Sequence, residues 1–252
     1  MDASFWLLVA GGAMVAGFVQ GLSGFGFSLV VLSIWSWAIE PRLAAPMAVF
    51  GALSGQLLAA LTVRRGFDKR KLAPFLIGGL LGVPIGGWLL PRIDELMFRA
   101  LLGGLLALWC PLMLASGRIP HITRGGRWAD GLVGMAGGVA GALGGLTGAL
   151  PTLWCTLRGE AKESQRAIIQ NFNLALLAVT FVMYMATGVV TTALLPMFAL
   201  IAPAMLIPTL LGARLYIGIS PLAFRNLVLG LLSASGAALL AGSLPALLAR
   251  PG

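Results

Sequence analysis

The sequence predicts an all-α polytopic membrane protein of two homologous halves, each a Gly-broken re-entrant hairpin plus three transmembrane helices, the halves being inverted repeats. Three observations predict it. The chain is 59% hydrophobic and 10% charged, with a mean hydropathy of +0.97. A soluble domain carries roughly 25% charged residues, so too little polar surface is present to cover a globule facing water. Six apolar runs have the ~20 residues that one crossing of a bilayer needs. Two further apolar stretches do not fit a single crossing, and they resemble each other.

In chain order, the first misfit is 5–38, 34 residues without a charge. As helix it would extend ~50 Å at ~1.5 Å per residue, too long for one straight passage through a hydrocarbon core of ~30 Å. Its centre reads GFVQGLSGFGFS (17–28). Three simple spans follow at 43–63, 72–90 and 96–116, divided by Glu40-Pro41-Arg42, the basic cluster from Arg64 to Lys71, and Pro91-Arg92-Ile93-Asp94-Glu95. A polar linker, 118–127, leads to the second misfit, 131–157, rich in glycine and containing Pro151. Spans at 167–186, 193–213 and about 226–249 complete the chain.

The chain is an internal duplication. At an offset of 120, GFVQGLSG (17–24) overlies GGVAGALG (137–144); at 126, FRALLGGLL (98–106) overlies FRNLVLGLL (224–232), pairing Phe98 with Phe224 and Arg99 with Arg225. The expected units are 1–117, a first membrane repeat; 118–127, the linker; and 128–252, a second membrane repeat. Charge sets their orientation. If both misfits cross once, the halves are parallel and Lys and Arg divide 9 inside to 8 outside. If both are hairpins, the halves are inverted, and 13 lie inside with only Arg42, Arg92, Arg99 and Arg250 outside. Basic residues concentrate on the cytoplasmic side, which favours the hairpins.

A helix broken within a bilayer leaves backbone groups unpaired at several kcal/mol each unless they line a cavity or bury against protein. The free N–H groups of a half-helix carry roughly half a positive charge and suit an anion. Two such breaks near the midplane are the plan of repeat-built transporters. The expected substrate cradle is therefore Gln20, Ser23, Gly24, Gly26 and Ser28 from the first break, with Gly144, Gly145, Thr147 and Gly148 from the second. Small residues also pack membrane helices closely, and some of these glycines serve that end. Gln170 and Asn173 share one helix face at i and i+3, with Asn171 beside them. They contact either the substrate or a neighbouring helix. Gln56 and Tyr184 are further polar groups inside apolar runs, and Arg214 reads as an interfacial anchor or an anion-binding arginine.

Several chemistries are excluded or disfavoured. All eight acidic residues (Asp2, Glu40, Asp68, Asp94, Glu95, Asp130, Glu160, Glu163) lie at segment edges, so no carboxylate is placed for a mid-membrane proton relay or cation site. Cys110 and Cys155 sit in apolar stretches and form no CxxC metal site. No cofactor or metal is expected, and no Walker loop is present for ATP hydrolysis. The net charge of +9 belongs to loops facing anionic lipid rather than to nucleic acid. The start, Met1-Asp2-Ala3-Ser4, lacks a basic n-region, so the first apolar run is expected to be retained.

These features resemble the sulfite exporter TauE/SafE family of membrane permeases. The resemblance is carried by GLSGFGFSLVVL (21–32), GALGGLTGALPTL (141–153), ESQRAIIQNFNL (163–174) and FRNLVLGLL (224–232), and it covers nearly the whole chain. It implies a secondary transporter of a small sulfur-containing or organic anion such as sulfite or sulfoacetate, an exporter by its name, working by alternating access and not an enzyme. The implied setting is the cell inner membrane, multi-pass, with the anion and the bilayer as partners and a homodimer allowed. Two alternatives stand beside it. An anion channel would use the same cradle. An intramembrane serine hydrolase would use Ser23 of the GLSG motif (21–24), but its base would have to be His121, the sole histidine, which lies in the linker.

Overall fold

The computed structural model describes residues 2–62, 66–122, 125–215 and 221–249. Of the residues singled out above, Arg64, Arg65, Arg124 and Arg250 lie outside the described residues. The described residues are helical, without strands, and seven of their helices are long and apolar enough to cross a membrane.

The 5–38 stretch divides into α1 (Ala3–Ser23) and α2 (Phe27–Trp35). Gly24 ends α1 at φ +78° and Gly26 precedes α2 at φ +100°, backbone that glycine adopts without steric cost. The arms are unequal: α1, at 21 residues, is long enough to cross, whereas α2 has 9. α2 folds back along α1, because the Trp35 indole donates to Leu8 O at 3.2 Å and covers Gly12. The simple spans become α3 (Pro41–Thr62), α4 (Lys69–Leu89) and α5 (Glu95–Ala115). The 131–157 stretch divides into α6 (Gly126–Gly144) and α7 (Ala149–Leu157), followed by α8 (Lys162–Ala186), α9 (Leu195–Leu215) and α10 (Pro221–Leu248). α6 starts inside the segment read as linker, and it is not among the seven candidate spans.

Helix termini explain several boundaries. Asp68 caps α4 by accepting from the Arg70 and Lys71 amides, and Asp94 caps α5 by accepting from the Met97 amide at 2.8 Å. Contacts sort the ends into two faces. On one, Lys71 Nζ meets Glu160 at 2.7 Å and the Asn171 amide donates to Gly66 O at 3.0 Å; this is the linker face. On the other, Arg42 donates to Pro91 O and Arg99 to Ser36 O, both at 2.6 Å.

Glycine packs two of the closest helix pairs. A Cβ added to Gly78, Gly82 or Gly86 of α4 would strike main-chain carbonyls of Gly131, Met135 and Val139 on α6. On the partner pair, Gly17 and Gly21 of α1 lie against Met205 O and Thr209 O of α9, and Thr209 Oγ1 donates to Gly17 O at 3.0 Å. Backbones come this close only without side chains, and in lipid such packing is a main source of helix association. α5 runs against α10, and α3 against α8. Between these pairs the core closes on Trp35, Phe27, Phe172 and Tyr184, whose hydroxyl donates to Ala142 O at 2.6 Å.

Candidate functional site

The two breaks meet. A Cβ on Gly145 would stand 2.5 Å from Ser28 Oγ, so the second break touches the first turn of α2. Both short helices begin here, and the first N–H groups of a helix have no partner within it. The N-termini of α2 and α7 therefore converge on one small cavity of about 20 Å³, room for a single water. Its wall is Gln20, Phe25 to Leu29, Ala52, Gln56, Gly145 to Ala149, Asn173 and Leu177, with no charged side chain among them.

The polar groups around this cavity are held from behind. Thr147 Oγ1 donates to Asn173 Oδ1 at 2.8 Å, bringing the Asn173 amide against Gly148. Gln20 Nε2 donates to Ala52 O at 3.4 Å, while its buried Oε1 finds no donor among the described residues. Ser28 Oγ reaches Ala48 O at 3.5 Å, and Gln56 Nε2 donates to Gly24 O at 3.0 Å, bracing the tip of the first hairpin. Trp109 donates to Ala149 O at 2.6 Å and stands edge-on to Phe25 at 6.5 Å, which ties α5 to both breaks.

A second cavity, about 550 Å³, lies toward the linker face, where His121, Gly159, Glu160 and Lys162 line it. Phe25, Gly26 and Leu29 line both spaces, so the first break is the partition between them. The wider space carries Lys162 and Arg225 on its wall. Its one carboxylate, Glu160, is bonded to the Lys71 ammonium, which holds that carboxyl below the usual carboxylate range.

Of the twelve candidate residues, the structure brings Gln20, Gly26, Ser28, Gly145, Thr147, Gly148 and Asn173 to the small cavity. The other five stand elsewhere. Ser23 faces the wider space, and its hydroxyl donates to its own backbone neighbours Val19 O and Phe25 O. Gly24 caps α1 behind the cavity wall, with the buried Gln170 amide 3.8 Å from where its Cβ would be. Gly144 packs on Leu32. Asn171 turns away, donating to Gly66 O and to Ala167 O one turn back. The left-handed caps, Gly24 and Gly145, are one residue off the 120-residue register, so the repeat pairs Gly24 with Gly145 and not with Gly144.

Phe25, Trp109 and Gln56 are not among the twelve candidates, and the wider cavity has no counterpart in the sequence reading. Gln56 alone had a signal, being an amide inside an apolar run. Arg214 is exposed at the end of α9 and lines neither cavity. Ser23 and His121 share the wider cavity, yet no hydrogen bond joins them among the described residues, and the His121 ring lies against Gly159. Among the described residues no group of three or more His, Cys, Asp or Glu side chains is placed to hold a metal ion.

A multi-pass helical membrane protein with paired helix breaks around a buried polar pocket is the class that fold and site define. The family model for the sulfite exporter TauE/SafE matches residues 9–239. The chain belongs to that family, a family of membrane transporters for sulfite and related sulfur anions. No curated protein and no solved structure matches the chain.

Proposed function

We propose that the chain is a secondary transporter that exports a small sulfur-containing or organic anion, such as sulfite or sulfoacetate, by alternating access in a bacterial-type inner membrane. One observation carries the reading: the N-termini of two broken helices face a single buried cavity that is lined by amides and hydroxyls and lacks a carboxylate. Donor-rich, positively polarised helix ends in a low-dielectric site favour a negative solute. Gln20, Ser28, Thr147, Gly148 and Asn173 are the proposed contacts. At about 20 Å³ the space must widen to admit sulfite.

The halves, 1–117 and 128–252, are read as inverted repeats with two re-entrant hairpins. Exchange of the halves turns the α1–α9 contact into the α6–α4 contact and leaves α3–α8 and α5–α10 unchanged, as any two-fold relation between the halves requires. α2 returns toward the start of α1 opposite the linker face, and α7 returns to the start of α6 on it, where Arg158 and Trp154 both bond Asp130. The linker face is then cytoplasmic, since Arg42, Arg92 and Arg99 are the basic residues at the other.

The test is sulfite flux in proteoliposomes. Saturable uptake accelerated by unlabelled sulfite on the opposite side is expected. Flux linear in concentration, with no acceleration, would assign a channel instead.

A further inference from the structure

We propose that Arg99 and Arg225 are paired latches, each shutting its own face of the protein by binding main-chain carbonyls at the C-terminal end of a half-helix. The proposal rests on the inverted-repeat reading above. The two arginines are equivalent residues of the duplication, in FRALLGGLL and FRNLVLGLL, and they stand near the starts of α5 and α10, which pack along each other.

Arg99 is engaged. Its Nε donates to Ser36 O at 2.6 Å and a terminal nitrogen to Trp37 O at 3.3 Å, just past the end of α2. These carbonyls have no helical partner and carry the negative end of the helix dipole, which a planar guanidinium can bridge two at a time. Glu95, one turn earlier, fixes the guanidinium at 3.1 Å. Ser36, at this end of α2, is only 2% exposed.

Among the described residues Arg225 is disengaged. The equivalent end of α7 is at Arg158 and Gly159, of which Gly159 borders the 550 Å³ cavity, and Arg225 is on that cavity's wall. No hydrogen bond or ion pair joins Arg225 to another described residue. Pro221 stands where the first half has Glu95, so the second latch also lacks the carboxylate that steadies the first. Closing the cavity brings α10 to the end of α7 and gives Arg225 the carbonyls that Arg99 holds on the other face. Exchange of the two latches is the switch between states.

The experiment uses two reporter cysteines in the full-length protein, Ser36→Cys on the closed face and Thr156→Cys beside the open cavity, labelled by a membrane-impermeant maleimide. Arg99→Ala should speed Ser36→Cys labelling roughly tenfold and slow that of Thr156→Cys, the loss of charged hydrogen bonds shifting the population. Arg225→Ala should do the reverse, leaving Ser36→Cys protected and Thr156→Cys at least as reactive. Arg99→Lys should restore only part of the protection, since one ammonium replaces a fork. Shifts of the same sign in both alanine variants, or no shift in either, would overturn the latches. The underlying reading has its own check. If the two reporters in the otherwise unaltered protein never exchange reactivity on addition of sulfoacetate, which unlike sulfite does not consume the maleimide, alternating access itself fails. If they exchange and the arginine variants do not alter the balance, only the latches fail.

Discussion

The two helix breaks have the same construction and opposite surroundings. Each ends a long helix on a left-handed glycine and starts a nine-residue helix from it. Residues 145–148 are all buried, whereas 23–26 are part-exposed, bordering a cavity that runs toward the linker face. Two copies of one motif in different solvation are what an inverted-repeat transporter shows when one face is open and the other shut. On the proposed reading the difference is one of state and not of chemistry, and it should invert when the protein turns over.

The sharpest way to break the comparison is to add a methyl group at each cap. Gly145→Ala meets Ser28 Oγ and the Val49 backbone and carries the strain of φ +77°. Overpacking and left-handed strain together should cost about 2–5 kcal/mol, read as a large fall in Tm in detergent. Gly24→Ala has the same strain, with nothing nearer than 3.8 Å, and should cost only about 1–2 kcal/mol. Equal losses would mean that the crowding at the second break is not real.

A smaller contrast concerns the hydroxyls. Thr147→Val removes the donor to buried Asn173 Oδ1 and should cost about 1–3 kcal/mol together with most sulfite flux. Ser23→Ala, at the open break, removes only a bond to local backbone and should stay within about 0.5 kcal/mol, measured by the same melts. The smallest effect is at the mouth of the wider cavity. The Lys71 hydrogen bond lowers the Glu160 carboxyl, so its stabilisation is complete above the ordinary carboxylate range and is lost as pH falls through the lowered value. Lys71→Met should lower stability slightly near neutrality and flatten its acid limb, leaving stability unchanged at low pH where the Glu160 carboxyl is protonated.

Much of this was written in the sequence, for stated reasons. The 34-residue uncharged stretch was too long to cross once, so a break near its glycines was required. The break could not be placed to the residue in the second half, because Gly144 and Gly145 are adjacent and either can take a left-handed turn; only packing selects Gly145. Spacing did not sort the amides of α8: Gln170, Asn171 and Asn173 were all candidates, yet Asn171, about 100° from Gln170 around the helix, points to the Gly66 loop, and Gln170, on the face of Asn173, stops behind Gly24. The wider cavity was not legible. Its wall joins α1, α5, α7 and α10, and no local pattern records a space between helices far apart in the chain.

Anion capture between the breaks is tested most directly by sulfite titration of purified protein, comparing Asn173→Ala with Asn171→Ala. Saturable binding, weakened about tenfold in Asn173→Ala and unchanged in Asn171→Ala, is expected from the loss of one donor to a charged ligand. Equal affinity in both variants, or weakening in Asn171→Ala alone, would contradict the account and move the site out of the space between α2 and α7.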